Sequence, residues 1–196
     1  MHITKEVLEY IIQEIYNDED YEICGNFELD DTTNELKIIY TVKGTYDAVK
    51  GANMCTQTDK YASNYLYHTH PYTSYAYPSF YDIWTVVKRR KQKDIHFTSF
   101  IFTIWGLWLL VPVGDMYVDE KLHDELKKTF SSKIIEFHAG QKSNSGITKS
   151  KEYTPEIYEL IINYIKAVQE VFAGLVIVKF IPMETLEKME SDLLKN

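Results

Sequence analysis

A strand that ends in two histidines and a proline constrains this chain more than any other feature. Residues 64–70 are rich in strand-forming side chains and carry Tyr67-His68-Thr69-His70 to their end, where Pro71 stops the run. Side chains alternate along a strand, so His68 and His70 point the same way. Ser79-Phe80-Tyr81-Asp82 follows after a short loop. Ser79 is a good N-cap, Asp82 sits at capping-box spacing, and a helix is expected from there to about Lys91. Strand end, loop and helix start thus bring two imidazoles and a carboxylate within local reach. Three protein ligands leave the fourth position of a zinc ion open, which separates a catalytic site from a structural one. The plain alternative is a helix cap beside two incidental histidines, with no metal.

The remaining segments alternate between helical and strand periodicity. Val7, Leu8, Ile11, Ile12 and Ile15 fall at helical spacing and predict a helix over residues 4–16. Residues 21–29 and 36–42 are β-rich and flank Asp30-Asp31-Thr32-Thr33-Asn34, so they read as a hairpin. Residues 44–60 are polar and irregular. Strands are expected over residues 97–103 and 105–111, a helix over 119–130, and a polar, mobile stretch over 139–151. Thr154-Pro155 starts a helix whose apolar face (Ile157, Leu160, Ile161, Tyr164, Ile165, Val168, Phe172) is wide enough to pack on the domain or on a second copy. Gly174 stops it, and a strand over 175–181 and a helix over 184–194 follow. No repeat or linker divides the chain. The expectation is a single α/β (α+β) domain, with a core over residues 3–112 and a helical C-terminal part over 113–196.

Composition narrows the partners. The 196 residues carry a net charge of −8, which argues against a nucleic-acid backbone as partner. The run Lys88-Arg89-Arg90-Lys91-Gln92-Lys93 is read as a solvated helix end favoured by the macrodipole. The most apolar stretch, residues 100–113, is interrupted by Thr103, Gly106 and Pro112 and is shorter than the ~20 residues of a spanning helix. Cys24 and Cys55 are too few for a disulfide scaffold, so a reducing, cytoplasmic setting is the default. No signal-peptide core precedes the first helix. A soluble protein without membrane attachment is expected.

His68-Thr69-His70-Pro71 followed by Ser79-x-x-Asp82 resembles the signature of the JAMM/MPN zinc metalloprotease family. Glu22-Ile23-Cys24-Gly25 is similar to the upstream glutamate that the family places at the end of its first strand. The resemblance covers residues 3–112, with its parts in the family's order. Eight residues separate His70 from Ser79, one more than the family pattern. Keeping the Ser-x-x-Asp unit intact makes Asp82, rather than Tyr81, the third ligand. The short interval between Glu22 and His68 looks like the compact prokaryotic or viral type.

The resemblance implies an MPN-type mixed sheet flanked by helices, with cytidine-deaminase-like layering. It also implies one catalytic Zn2+ on His68, His70 and Asp82. Glu22 would be the general base for a metal-activated water, and Ser79 the donor to the developing oxyanion. The expected reaction is hydrolysis of an isopeptide or C-terminal peptide bond of ubiquitin or a ubiquitin-like modifier. Glu28, on the same strand face as Glu22, is the rival base. Cys24 is read as a small buried core residue. Tyr67, Tyr72, Tyr75 and Tyr77 either grip an extended substrate tail or pack the loop. A catalytically silent MPN scaffold and a RadC-like DNA-associated protein, which shares His-x-His-Pro, are the alternatives from other classes. A zinc deaminase would need a Pro-Cys-x-x-Cys ligand pair, which is absent.

Overall fold

The computed structural model describes residues 1–17, 21–47, 52–54, 63–70, 76–93, 97–114, 118–140 and 153–188. In chain order these form β1 (His2–Ile3), α1 (Lys5–Asn17), β2 (Ile23–Asp30), β3 (Glu35–Lys43), β4 (Thr45–Asp47), β5 (Ala52–Met54) and β6 (Tyr65–Thr69). There follow α2 (Phe80–Lys93), β7 (Thr98–Thr103), β8 (Gly106–Pro112), α3 (Glu120–Gly140), α4 (Pro155–Val171), β9 (Val176–Pro182) and α5 (Met183–Lys188). Seven strands make one mixed sheet in the order β1-β3-β2-β6-β7-β8-β9, and β4 and β5 pair as a separate ribbon. The mixed α/β class expected from the alternating periodicities is what forms. No helix among the described residues is long and apolar enough to cross a membrane.

Two compact units interleave along the chain. One comprises Met1–Ala76, Ser99–Trp108 and Ile181–Asn196, the other Tyr77–Thr98 and Leu109–Phe180. In the first, α1 buries Leu8, Ile11 and Ile15, the stripe its spacing predicts. The β2–β3 hairpin turns through Asp31–Asn34, with Asn34 in the left-handed region at φ 59°. Asp30 organises that turn: its Oδ1 accepts the Thr32 N–H at 2.9 Å, and its Oδ2 lies 2.6 Å from Lys37 Nζ. The Lys37 ammonium and these turn donors hold the Asp30 carboxyl well below the usual carboxylate range. Further along, the register jumps from Asn26↔Tyr40 to Phe27↔Ile38, so Ile39 is an unopposed bulge residue. Gly25 lies in the middle of this packing. A Cβ there would meet the Tyr40 carbonyl oxygen at 1.9 Å and the Tyr67 ring at 2.8 Å.

In the second unit α4 starts as expected, with the Thr154 side chain accepting from Ile157 N–H and proline at the first turn. Its apolar face, Ile157, Leu160, Ile161, Tyr164 and Val168, is buried within this single chain. That apolar stripe is therefore consumed by the protein's own packing. Phe80 anchors an aromatic cluster with Trp84, His123, Phe130 and Phe172, at centroid distances of 5.3–6.3 Å.

Several segments differ from expectation. The two-residue β1 is too short for periodicity to reveal, and it pairs in parallel with β3 at Glu35 and Leu36. The ribbon of β4 and β5 falls within the stretch read as irregular. Helix α3 runs ten residues past its expected end at 130, because Ile134 and Phe137 continue the stripe behind an unhelpful Ser131-Ser132 pair. It includes 139 and 140, while the rest of the stretch expected to be mobile, like residues 189–194 of the last predicted helix, lies outside the described residues. Gly25→Ala is expected to destabilise the protein by about 3 kcal/mol, because the displaced atom is backbone and cannot rotate away. Urea unfolding monitored by far-UV circular dichroism measures it.

Candidate metal centre

The antiparallel ladder between β2 and β6 places Cys24 opposite His68 and Gly25 opposite Tyr67. Extended by two residues, that register would set Glu22, just before β2, opposite His70, just after β6. Opposed residues in an antiparallel pair share a face. Cys24 and His68 therefore belong to one face of the sheet, which the same alternation continues to Glu22 and His70, and Ile23, Gly25, Tyr67 and Thr69 belong to the other. Three hydrogen bonds hold this end of the two strands. Gly44 N–H donates to the Glu22 carbonyl at 2.7 Å, and His70 N–H donates to the Phe102 carbonyl at 2.8 Å. The third is buried: Ile23 N–H donates to Thr69 Oγ1 at 2.9 Å.

The histidine rings face each other, with Nε2 atoms 3.2 Å apart. Two ligands on a tetrahedral ion with bonds of about 2.0–2.1 Å stand roughly 3.3 Å apart, so this spacing suits one shared metal. His68, His70 and Asp82 each offer one ligand atom, all within 4.8 Å of one another. Two imidazole nitrogens and a carboxylate oxygen are a donor set that zinc accepts.

Asp82 is placed by the start of α2. Ser79 N–H donates to Asp82 Oδ2 at 2.5 Å, and Asp82 N–H donates to Ser79 Oγ at 3.2 Å. This reciprocal pair is a capping box with aspartate in the glutamate position. It fixes the carboxylate at a helix N-terminus, where the macrodipole favours its charge. Ser79 Oγ accepts with a lone pair in that bond, and its own O–H is a separate donor. Two carbonyls just before α2 are also held: Trp108 Nε1–H donates to Ala76 at 2.9 Å, and the Tyr164 hydroxyl donates to Pro78.

The tyrosines need correction. Tyr67 is 1% exposed, stacked on Phe27 at 4.5 Å, with its hydroxyl bonded to that of Thr41. Being adjacent to His68 in a strand, it points to the opposite face, so it cannot ring the metal. Tyr77 is also buried, stacked on Tyr164 at 4.9 Å and edge-on to Phe137. Burial pushes both phenols well above their usual range. The substrate contacts expected of these two give way to packing. Tyr72 and Tyr75 lie outside the described residues.

Glu28 is exposed, paired opposite Lys37 in the hairpin, and six residues along β2 from Glu22, roughly 20 Å at strand rise. It stands at the wrong end of the strand for the histidines. Cys24 is fully buried, as expected, but disulfide-bonded rather than a free thiol. The inference of a reducing compartment rested on cysteine count alone, and a bonded Cys24 removes that basis. Cys55 lies outside the described residues. His2 bonds Glu35 at 3.4 Å, and His123 packs among aromatic rings. Thr69, a hydroxyl residue between the two histidines, faces the opposite side of the strand, where it serves the neighbouring backbone; that alternation is its one signal in the sequence.

Ser79→Ala removes one half of the capping box and should cost about 1 kcal/mol of stability, with Ser79→Thr retaining most of it. Urea denaturation of the two variants separates these outcomes. No family model matches the chain, and no curated protein matches it.

Proposed function

We propose that the chain is a zinc-dependent peptidase that hydrolyses an isopeptide or C-terminal peptide bond of ubiquitin or a ubiquitin-like modifier. The observation that carries this is the convergence of His68, His70 and Asp82, with all three ligand atoms within 4.8 Å. Zinc held there would polarise a carbonyl and acidify a water at neutral pH. Glu22, opposite His70 in the extended register, takes the proton of the attacking water and passes it to the leaving amine. The Ser79 O–H donates to the oxygen on which negative charge develops as the amide is attacked. The modifier as substrate is supported by the motif resemblance, since a fold or a zinc site by itself does not choose what is cut. A phosphate-backbone partner fits poorly with a net charge of −8.

One observation favours a second reading, a silent scaffold of the same architecture. Ser79 and Asp82 satisfy each other's backbone N–H groups, so the helix start is stable without a metal. Metal content decides between the two. The purified chain is expected to hold about one zinc and to cleave some member of a panel of ubiquitin-like fusions. A chelator should abolish that cleavage and added zinc restore it. A chain that neither retains nor rebinds zinc is not this enzyme.

Substitutions divide the roles. Glu22→Gln should keep zinc and lose roughly 10²-fold or more in kcat, the loss of a general base. Asp82→Asn should weaken zinc itself by roughly tenfold or more. An active Glu22→Gln together with an inactive Glu28→Gln would reassign the base.

A further inference from the structure

The geometry points to Thr69 as a positioning residue that holds the glutamate-bearing end of β2 against the histidine-bearing end of β6. The β2–β6 ladder has its last pair at Cys24↔His68. Glu22 lies two residues beyond that pair. Thr69 supplies a side-chain link there, because its Oγ1 accepts the Ile23 N–H at 2.9 Å in a buried setting, and Thr69 itself is 1% exposed. The same peptide is held from its other side, where Gly44 N–H donates to the Glu22 carbonyl at 2.7 Å. The Glu22 side chain thus springs directly from a peptide clamped at both its polar ends, and one of the clamps comes from the side chain lying between the two histidines.

The placement follows from strand alternation. His68 and His70 use one face, and Thr69 necessarily uses the other. It can therefore bind the β2 backbone without entering the donor set. Its role is to set where the Glu22 carboxylate stands relative to the imidazoles. β6 is separately secured to β7 through the His70 N–H. Removing the hydroxyl should consequently let Glu22 shift while the histidines stay in place. Displacement of a catalytic group by about 1 Å costs on the order of 100-fold in rate.

This role rests on the hydrolytic reading of the site, and the test keeps the two apart. Thr69→Val and Thr69→Ser are compared with the wild type in the full chain. The readouts are zinc Kd, amide hydrogen exchange at Ile23, and kcat and KM on the fusion substrate that the wild type cleaves. The expected result for Thr69→Val is a kcat lowered on the order of 10- to 100-fold, with KM and zinc Kd within about threefold of wild type. Ile23 exchange should accelerate in Thr69→Val, and Thr69→Ser should restore both exchange and rate. If Thr69→Val does not fold, Thr69→Ala, which leaves room for water at the Ile23 N–H, is read by the same criteria. A Thr69→Val enzyme with wild-type kcat overturns the role alone. So does a rate loss matched by an equal loss of zinc affinity, or a Thr69→Ser variant that restores neither quantity. A wild type that binds zinc and cleaves nothing overturns the hydrolytic reading, and this role with it.

Discussion

Antiparallel pairing of β2 with β6 decides which side chains share a face of the sheet, and the candidate centre depends on that choice. A slip of one residue would turn His68 and His70 away from Glu22 and put Tyr67 and Thr69 in their place. The register is held by interactions that tolerate no slip. Gly25 admits the Tyr40 carbonyl and the Tyr67 ring only because it has no Cβ, and Phe27 stacks on Tyr67 across the same two strands. The apolar packing on one face therefore fixes the polar chemistry on the other.

The carboxylate is placed by a different device. Ser79 and Asp82 close a capping box, an arrangement any helix start can use for stability alone. Here the same two bonds orient Asp82, whose carboxylate is one of the three groups with ligand atoms within 4.8 Å of one another. Capping and metal binding are compatible, because a carboxylate has two oxygens and about four lone-pair sites. A hydrogen bond that orients a ligating carboxylate supports its ligation.

Aromatic residues near the motif work inward. Tyr67 and Tyr77 lose their solvent to Phe27, Phe137 and Tyr164, and their desolvated phenols are held neutral far above physiological pH. The Tyr164 hydroxyl, buried in turn, donates to the Pro78 carbonyl immediately before the helix cap. Tyrosine-rich sequence around the motif is thus partly a packing layer that fixes where α2 begins.

Much of this was written in local sequence. Period-two spacing of His68 and His70, the Ser79-x-x-Asp82 unit, the Asp30–Asn34 turn and the Thr154-Pro155 helix start each depend on interactions spanning only a few residues. They could be read one segment at a time, and so could the mixed α/β class. The reach of α3 past Ser131-Ser132, the pairing of β1 with β3, the disulfide at Cys24 and the burial of Tyr67 and Tyr77 could not. Each depends on residues distant in the chain, whose approach is set by burying a common apolar surface. The same holds for which of Glu22 and Glu28 lies nearer His68 along the chain of β2. Alternation gives both the same face, and only the β2–β6 register, with the Thr69 hydroxyl on the Ile23 amide, brings one of them to the histidine end.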